Sequence, residues 1–150
     1  MGELILLVPV VTLMIASVID LRTREIPDWV TIVLILTAAV AAVFGWAQIQ
    51  WWMAGTGLLL GLGVGLGMFF FGGFGGGDAK LVTGIGAVLG PFGIWFFLFW
   101  MAIAGGLLAI ISKLRGSRDY AYGPAILAGY IGYLVFPANI WSTLQKLMPY

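Results

Sequence analysis

The sequence predicts an all-α fold, a polytopic membrane helix bundle of about six transmembrane helices with the fourth of them short. Three observations carry this. The composition is 62% hydrophobic and only 9% charged, where soluble domains hold roughly 25% charged residues. The apolar residues gather into runs near the length of about 20 residues that a bilayer crossing needs. Short connectors between the runs hold most of the charge. A chain of 150 residues is read as one domain, residues 1–150.

The first apolar run, about Leu4 to Ile19, begins beside Glu3 instead of a basic segment and ends on Asp20 without a small-residue cleavage site. It is therefore read as a retained span and not as a cleavable leader. A polar connector follows, from Asp20 through Arg22, Arg24 and Glu25 to Asp28. Pro27 biases Ile26 toward extended backbone, and Asp28 is placed to cap a helix starting at Trp29. The second span runs to about Ala47 and the third from Trp51 to about Phe71. The tight turn at Gln48 to Gln50 makes these two antiparallel neighbours, and Trp46, Trp51 and Trp52 bracket it as an interfacial belt. Small residues thread the third span at Gly55, Gly57, Gly61, Gly63, Gly65 and Gly67. Gly61 with Gly65, and Gly63 with Gly67, have the spacing that lets helix backbones approach closely.

The stretch from Ala79 to Ser112 would be about 51 Å long as a single helix, far beyond a hydrocarbon core of about 30 Å. Gly90-Pro91-Phe92-Gly93 offers a break. Two spans result, a short one from Ala79 to Leu89 and a longer one from Phe92 to Ser112. The short one is expected to tilt, to borrow length from its flanks or to thin the bilayer locally. The Phe and Trp cluster from Phe92 to Trp100 is expected to face lipid. A last span, about Tyr120 to Phe136, leaves a short tail with Lys146. In this topology Arg22, Arg24, Lys80, Lys113, Arg115 and Arg118, six of the seven basic residues, fall on one side. The positive-inside rule makes that side cytoplasmic, with both termini on the other.

Several function classes are excluded. A net charge of +1 without a basic patch argues against a nucleic-acid partner. With no Cys there is no disulfide frame, no CxxC zinc site and no thiol nucleophile. With no His there is no histidine base and the commonest metal ligand is missing. Asp20 and Asp78 then stand out. Asp78 follows the glycine-rich break Gly75-Gly76-Gly77, and two crossings return the chain from Asp20 to the same membrane edge. A charge at the edge of hydrocarbon is costly and marks a functional site with a partner.

Two carboxyl groups that share a proton can run aspartic proteolysis with no metal or cofactor. One, ionised, takes a proton from the attacking water, while the other, protonated, polarises the scissile carbonyl. The helix dipole favours negative charge on Asp78, making it the candidate for the ionised member. The glycines, from Gly72-Gly73 to Gly75-Gly77, would offer bare backbone for an extended substrate to pair with. Lys80 is read either as a topological anchor or as a group that tunes the pair or holds a substrate carbonyl. The rival reading is a small transporter or scaffold using the two aspartates to bind a proton or cation, although such sites lie nearer mid-membrane.

The segment Asp20 with Ile26-Pro27-Asp28-Trp29-Val30-Thr31 resembles the D-x5-I-P-[ND]-x2-T motif of the type IV prepilin peptidases. Gly75-Gly76-Gly77-Asp78-Ala79-Lys80-Leu81 resembles their GxGDxKL motif, and Tyr122-Gly123-Pro124-Ala125 their aromatic-Gly-Pro-small element. The resemblance spans nearly the whole chain. It implies a membrane aspartyl endopeptidase with Asp20 and Asp78 as catalytic pair and Gly75, Gly76, Gly77 and Lys80 near the substrate. It also implies prepilin or archaellin-like substrates, whose basic leaders are cut at the cytoplasmic membrane face. Glu25, Asp28 and Asp119 are candidates for meeting the leader's positive charge. Larger members of that family carry an N-terminal CxxC segment and methylate the new N-terminus. This chain is similar to the compact, catalytic-domain-only form. Presenilin-like proteases share GxGD, and Pro124-Ala125-Ile126 resembles their PAL element, but their other aspartate follows a tyrosine, whereas Ile19 precedes Asp20 here.

Overall fold

A computed structural model describes residues 2–71, 75–115 and 122–136, and within them the protein is a helix bundle without strands. The helices are α1 (Leu7–Thr23), α2 (Asp28–Phe44), α3 (Trp51–Phe70), α4 (Gly76–Leu114) and α5 (Gly123–Val135). Short 3-10 turns at Gly2–Leu6 and Trp46–Gln48 precede α1 and follow α2. Three segments, Leu4–Thr23, Trp51–Phe70 and Gly76–Leu114, are long and apolar enough to cross a membrane; Asp28–Phe44 and Gly123–Val135 are shorter apolar helices. Large apolar side chains such as Leu7, Leu36, Phe70, Trp95 and Leu107 are exposed around the bundle. That surface suits lipid and not water, and the protein is an integral membrane protein.

The helix ends follow from local chemistry. α1 stops where Arg24 turns left-handed at φ 59° and its N–H bonds to the Asp20 carbonyl. α2 starts directly after Pro27, whose backbone is extended (φ −65°, ψ 142°). It stops at Gly45, which takes the left-handed conformation at φ 64° that a glycine tolerates without strain. The second apolar segment thus ends three residues short of the expected Ala47. Gly90 breaks α4 at φ 70°, ψ −176°, a region of backbone space accessible essentially to glycine alone. Pro91 then opens the second arm, where its missing N–H costs nothing. The expected division into a short fourth and a longer fifth segment is this break.

The contacts between helices show that the segments alternate in direction. The 3-10 turn before α1 packs against the one after α2. α3 lies antiparallel to the first arm of α4, with Gly57 against Gly86 and Gly90, Gly61 against Val82 and Thr83, and Gly65 against Ala79. The second arm lies antiparallel to α5, with Gly129 against Met101 and Gly105 beside Ala125. α5 returns along α1, where the Tyr130 hydroxyl donates to the Leu6 carbonyl at 3.2 Å. One end of the bundle therefore collects the end of α1 and the starts of α2, α4 and α5.

Two expectations need correcting in the interior. Residues 81–90 of the first α4 arm are all buried, so this arm is the hub of the bundle and is enclosed by protein. The arm begins at Gly76, three residues before the expected Ala79, so it takes length from its flank as expected. The close-approach stripe of α3 is Gly57, Gly61 and Gly65, whereas Gly55, Gly63 and Gly67 have nothing within 4 Å of the place a Cβ would occupy. The core around the hub is Leu13, Val30, Leu34, Leu81, Ile85, Ile94, Phe97 and Ile126. Phe92, Trp95 and Phe99 face outward as expected, but Phe97 is fully buried.

Candidate active site

Asp20 sits in the last turn of α1, not beyond it, because the helix continues to Thr23 before Arg24 caps it. Its side chain turns inward and is only 6% exposed. The Gly123 N–H at the start of α5 donates to Asp20 Oδ2 at 2.8 Å. Gly123 is also packed tightly here, since a Cβ would stand 2.9 Å from Asp20 Oδ2 and 3.1 Å from Asp20 Cβ and one of them would have to shift. The sequence marks Tyr122-Gly123-Pro124-Ala125 as an aromatic-Gly-Pro-small element. Sequence reasoning missed the donor within it, although the Tyr-Gly-Pro triplet was the signal that could have found it.

Asp78 enters from the opposite side, three residues into α4 after its extended cap Gly75. The Gly75 N–H donates to Asp78 Oδ2 at 3.3 Å, so the carboxylate reaches back to cap the start of its own helix. The side chain is 8% exposed, and Oδ1 has no hydrogen-bond partner among the described residues. Asp20 and Asp78 lie within electrostatic reach of each other. Each carboxylate meets a helix N-terminus, Asp78 that of α4 and Asp20 that of α5. The dipole argument therefore does not single out Asp78 as the ionised member.

The glycines divide by role. Gly75 is the cap, while Gly76 and Gly77 form the first turn of α4 and are helical instead of lying in an open loop. Gly72 and Gly73 lie outside the described residues. Gly77 packs beneath Ile26, whose Cβ would be 2.9 Å from a Cβ at position 77. Residues of the two motifs thus touch, one from each side of the site. Asp28 is the first helical residue of α2 and makes no side-chain cap. Its carboxylate instead pairs with the Lys80 ammonium at 2.6 Å, 52 residues on in sequence. Glu25 stays in the connector, where its N–H meets the Thr23 hydroxyl; Asp119 lies outside the described residues. The site end of the bundle also carries Arg22, Arg24, Lys113 and Arg115, while Arg118 lies outside the described residues.

The end of the bundle therefore holds two inward-turned carboxyl groups, each steadied by one backbone N–H. Such a pair can exchange a proton and polarise a carbonyl set between them. Gly75, Gly76 and Lys80 lie exposed at the rim.

The chain is 28% identical to the prepilin leader peptidase/N-methyltransferase of Neisseria gonorrhoeae over 162 residues, a match covering 97% of this chain and 52% of that protein. It thus spans about half the length of that relative. No solved structure matches it. Residues 7–110 match the type IV leader peptidase family, a stretch that takes in Asp20, the Ile26-Pro27-Asp28 segment and Asp78. The chain belongs to the type IV leader peptidase family.

Proposed function

We propose that the protein is an aspartyl endopeptidase of the cell membrane that removes the basic leader of type IV prepilin or archaellin-like precursors. What supports this is that two buried carboxylates, Asp20 and Asp78, stand within electrostatic reach of each other at one end of the bundle in a chain of this family. The reaction needs no metal and no cofactor. One carboxylate takes a proton from a water as the water oxygen bonds to the scissile carbonyl carbon. The other, protonated, hydrogen-bonds the carbonyl oxygen and gives it a proton as the tetrahedral intermediate forms. Collapse breaks the C–N bond, and the proton taken from water passes to the departing amine.

The alternation of helix direction supports six crossings, counting the two arms of α4 separately. With Arg22, Arg24, Lys80, Lys113 and Arg115 all at the Asp20 end, that end faces the cytoplasm. A basic leader would meet Glu25 and the exposed glycines Gly75 and Gly76 there, with its apolar segment held in the bilayer. Membership of the family favours this reading over a proton- or cation-binding transporter and over a presenilin-like protease.

Co-expression with a prepilin-like substrate tests the proposal. Asp20→Asn and Asp78→Asn should each insert normally and leave the precursor uncut. Processing at the wild-type level in either variant would remove the basis for the dyad.

A further inference from the structure

We propose that the Asp28–Lys80 ion pair is a positioning device that fixes Asp78 relative to Asp20, an inference that rests on the dyad reading above. The α1–α2 connector grips the start of α4 at two places. Ile26 lies on Gly77 with no room for a Cβ between them, and Asp28 Oδ1 holds Lys80 Nζ at 2.6 Å. Asp78 lies between these two grips.

The other end of the connector is equally constrained. Arg24 takes a left-handed conformation at φ 59°, and its N–H bonds back to the carbonyl of Asp20 itself. A short rigid path thus runs from Asp20 through Arg24, Ile26 and Asp28 to the residues flanking Asp78.

The exposure of the pair decides what it is for. Lys80 and Asp28 are 55% and 71% exposed, so their attraction is shared with solvent and contributes little to holding the bundle together. The bundle has a dry core and the α3–α4 stripe for that purpose. Geometry at a reacting centre is more demanding, since a displacement of about 1 Å can lower a rate by about 100-fold. A weak tie beside a catalytic carboxylate therefore acts on turnover and not on folding. Lys80 then acts on Asp78 through Asp28.

The test is a charge exchange in the full chain, reconstituted in lipid and assayed on a leader-bearing prepilin peptide. Asp28→Asn should lower kcat by about 2- to 5-fold, and Asp28→Lys and Lys80→Asp, which set like charges against each other, by about 10-fold or more, with KM nearly unchanged. The double exchange, Asp28→Lys with Lys80→Asp, should recover most of the loss, and Lys80→Arg should stay near wild type. Membrane insertion and melting temperature should be unaltered throughout. The proposal is overturned if the double exchange is as impaired as Lys80→Asp alone, if the loss falls on KM, or if the single variants cut at the wild-type rate. Asp20→Asn and Asp78→Asn run alongside separate the two levels. If they still cut, the dyad reading itself fails; if they are dead and the exchange does not rescue, only the positioning role fails.

Discussion

Gly123→Ala is the substitution in which the structure makes its most quantitative demand. Gly123 has ordinary helical backbone, so alanine brings no strain of its own and is the better helix former. The difficulty is contact. An alanine Cβ would stand 2.9 Å from Asp20 Oδ2, 3.1 Å from Asp20 Cβ and 3.1 Å from Ser17 Cα. Carbon contacts settle near roughly 3.5 Å, so α5 must withdraw from α1 by about half an ångström or Asp20 must rotate away. Either movement lengthens the 2.8 Å bond from the Gly123 N–H to Asp20 Oδ2. A hydrogen bond to a charged group contributes about 1.5–3 kcal/mol, corresponding to roughly 10- to 100-fold if it is lost from the reacting geometry. The expected result is a fall of that size in kcat for leader-peptide cleavage, with normal insertion and little change in KM. Gly106→Ala is the control, since nothing lies within 4 Å of its would-be Cβ. A Gly123→Ala enzyme that cuts at the wild-type rate would show that Asp20 does not depend on the start of α5.

Other consequences follow from the same packing. Gly61→Leu should lower thermal stability sharply, because even a Cβ at 61 would sit 2.7 Å from the Val82 carbonyl oxygen, whereas Gly63→Ala should be neutral in the same melting experiment. Gly90→Ala should cost about 1–3 kcal/mol of stability, from forcing alanine into a backbone region reserved for glycine. The chain has no cysteine, so single cysteines placed at Thr23, Lys113 and Gln50 can be labelled cleanly. Impermeant reagent should reach Thr23→Cys and Lys113→Cys from the same side and Gln50→Cys from the other; labelling of the first two from opposite sides would refute six crossings. Cleavage should decline at both low and high pH, because the pair works with one shared proton. A rate that keeps rising through high pH would contradict that.

Much of the fold was legible because its signals are local. Gly90-Pro91 announces a break wherever it falls in an apolar run, and the structure breaks there. The connectors were readable from charge, and the two aspartates from their cost at a membrane edge. The errors lie where partners decide. Gly57, Gly61, Gly65 and Gly63, Gly67 share the same four-residue spacing, and α3 is apolar on every side, so nothing in the chain distinguished the packed stripe from the outward one. The enclosure of the first arm of α4 is set by the helices around it, which no local pattern in the chain names. Asp28 read as a cap from the proline before it, yet its partner is Lys80, far along the chain. Gly123 is the same case, since a glycine beside a proline is an ordinary helix opening until Asp20 is found against it.

The central claim is that Asp20 and Asp78 form one catalytic unit, and the measurement that addresses it most directly is the residual cleavage rate of Asp20→Asn, Asp78→Asn and the double variant. Groups that act as a unit are strongly non-additive, so each single substitution should remove as much activity as both together. All three variants should then fall to one common floor while remaining inserted in the membrane. A single variant that retains substantial processing, or a double variant far below both singles, would contradict it.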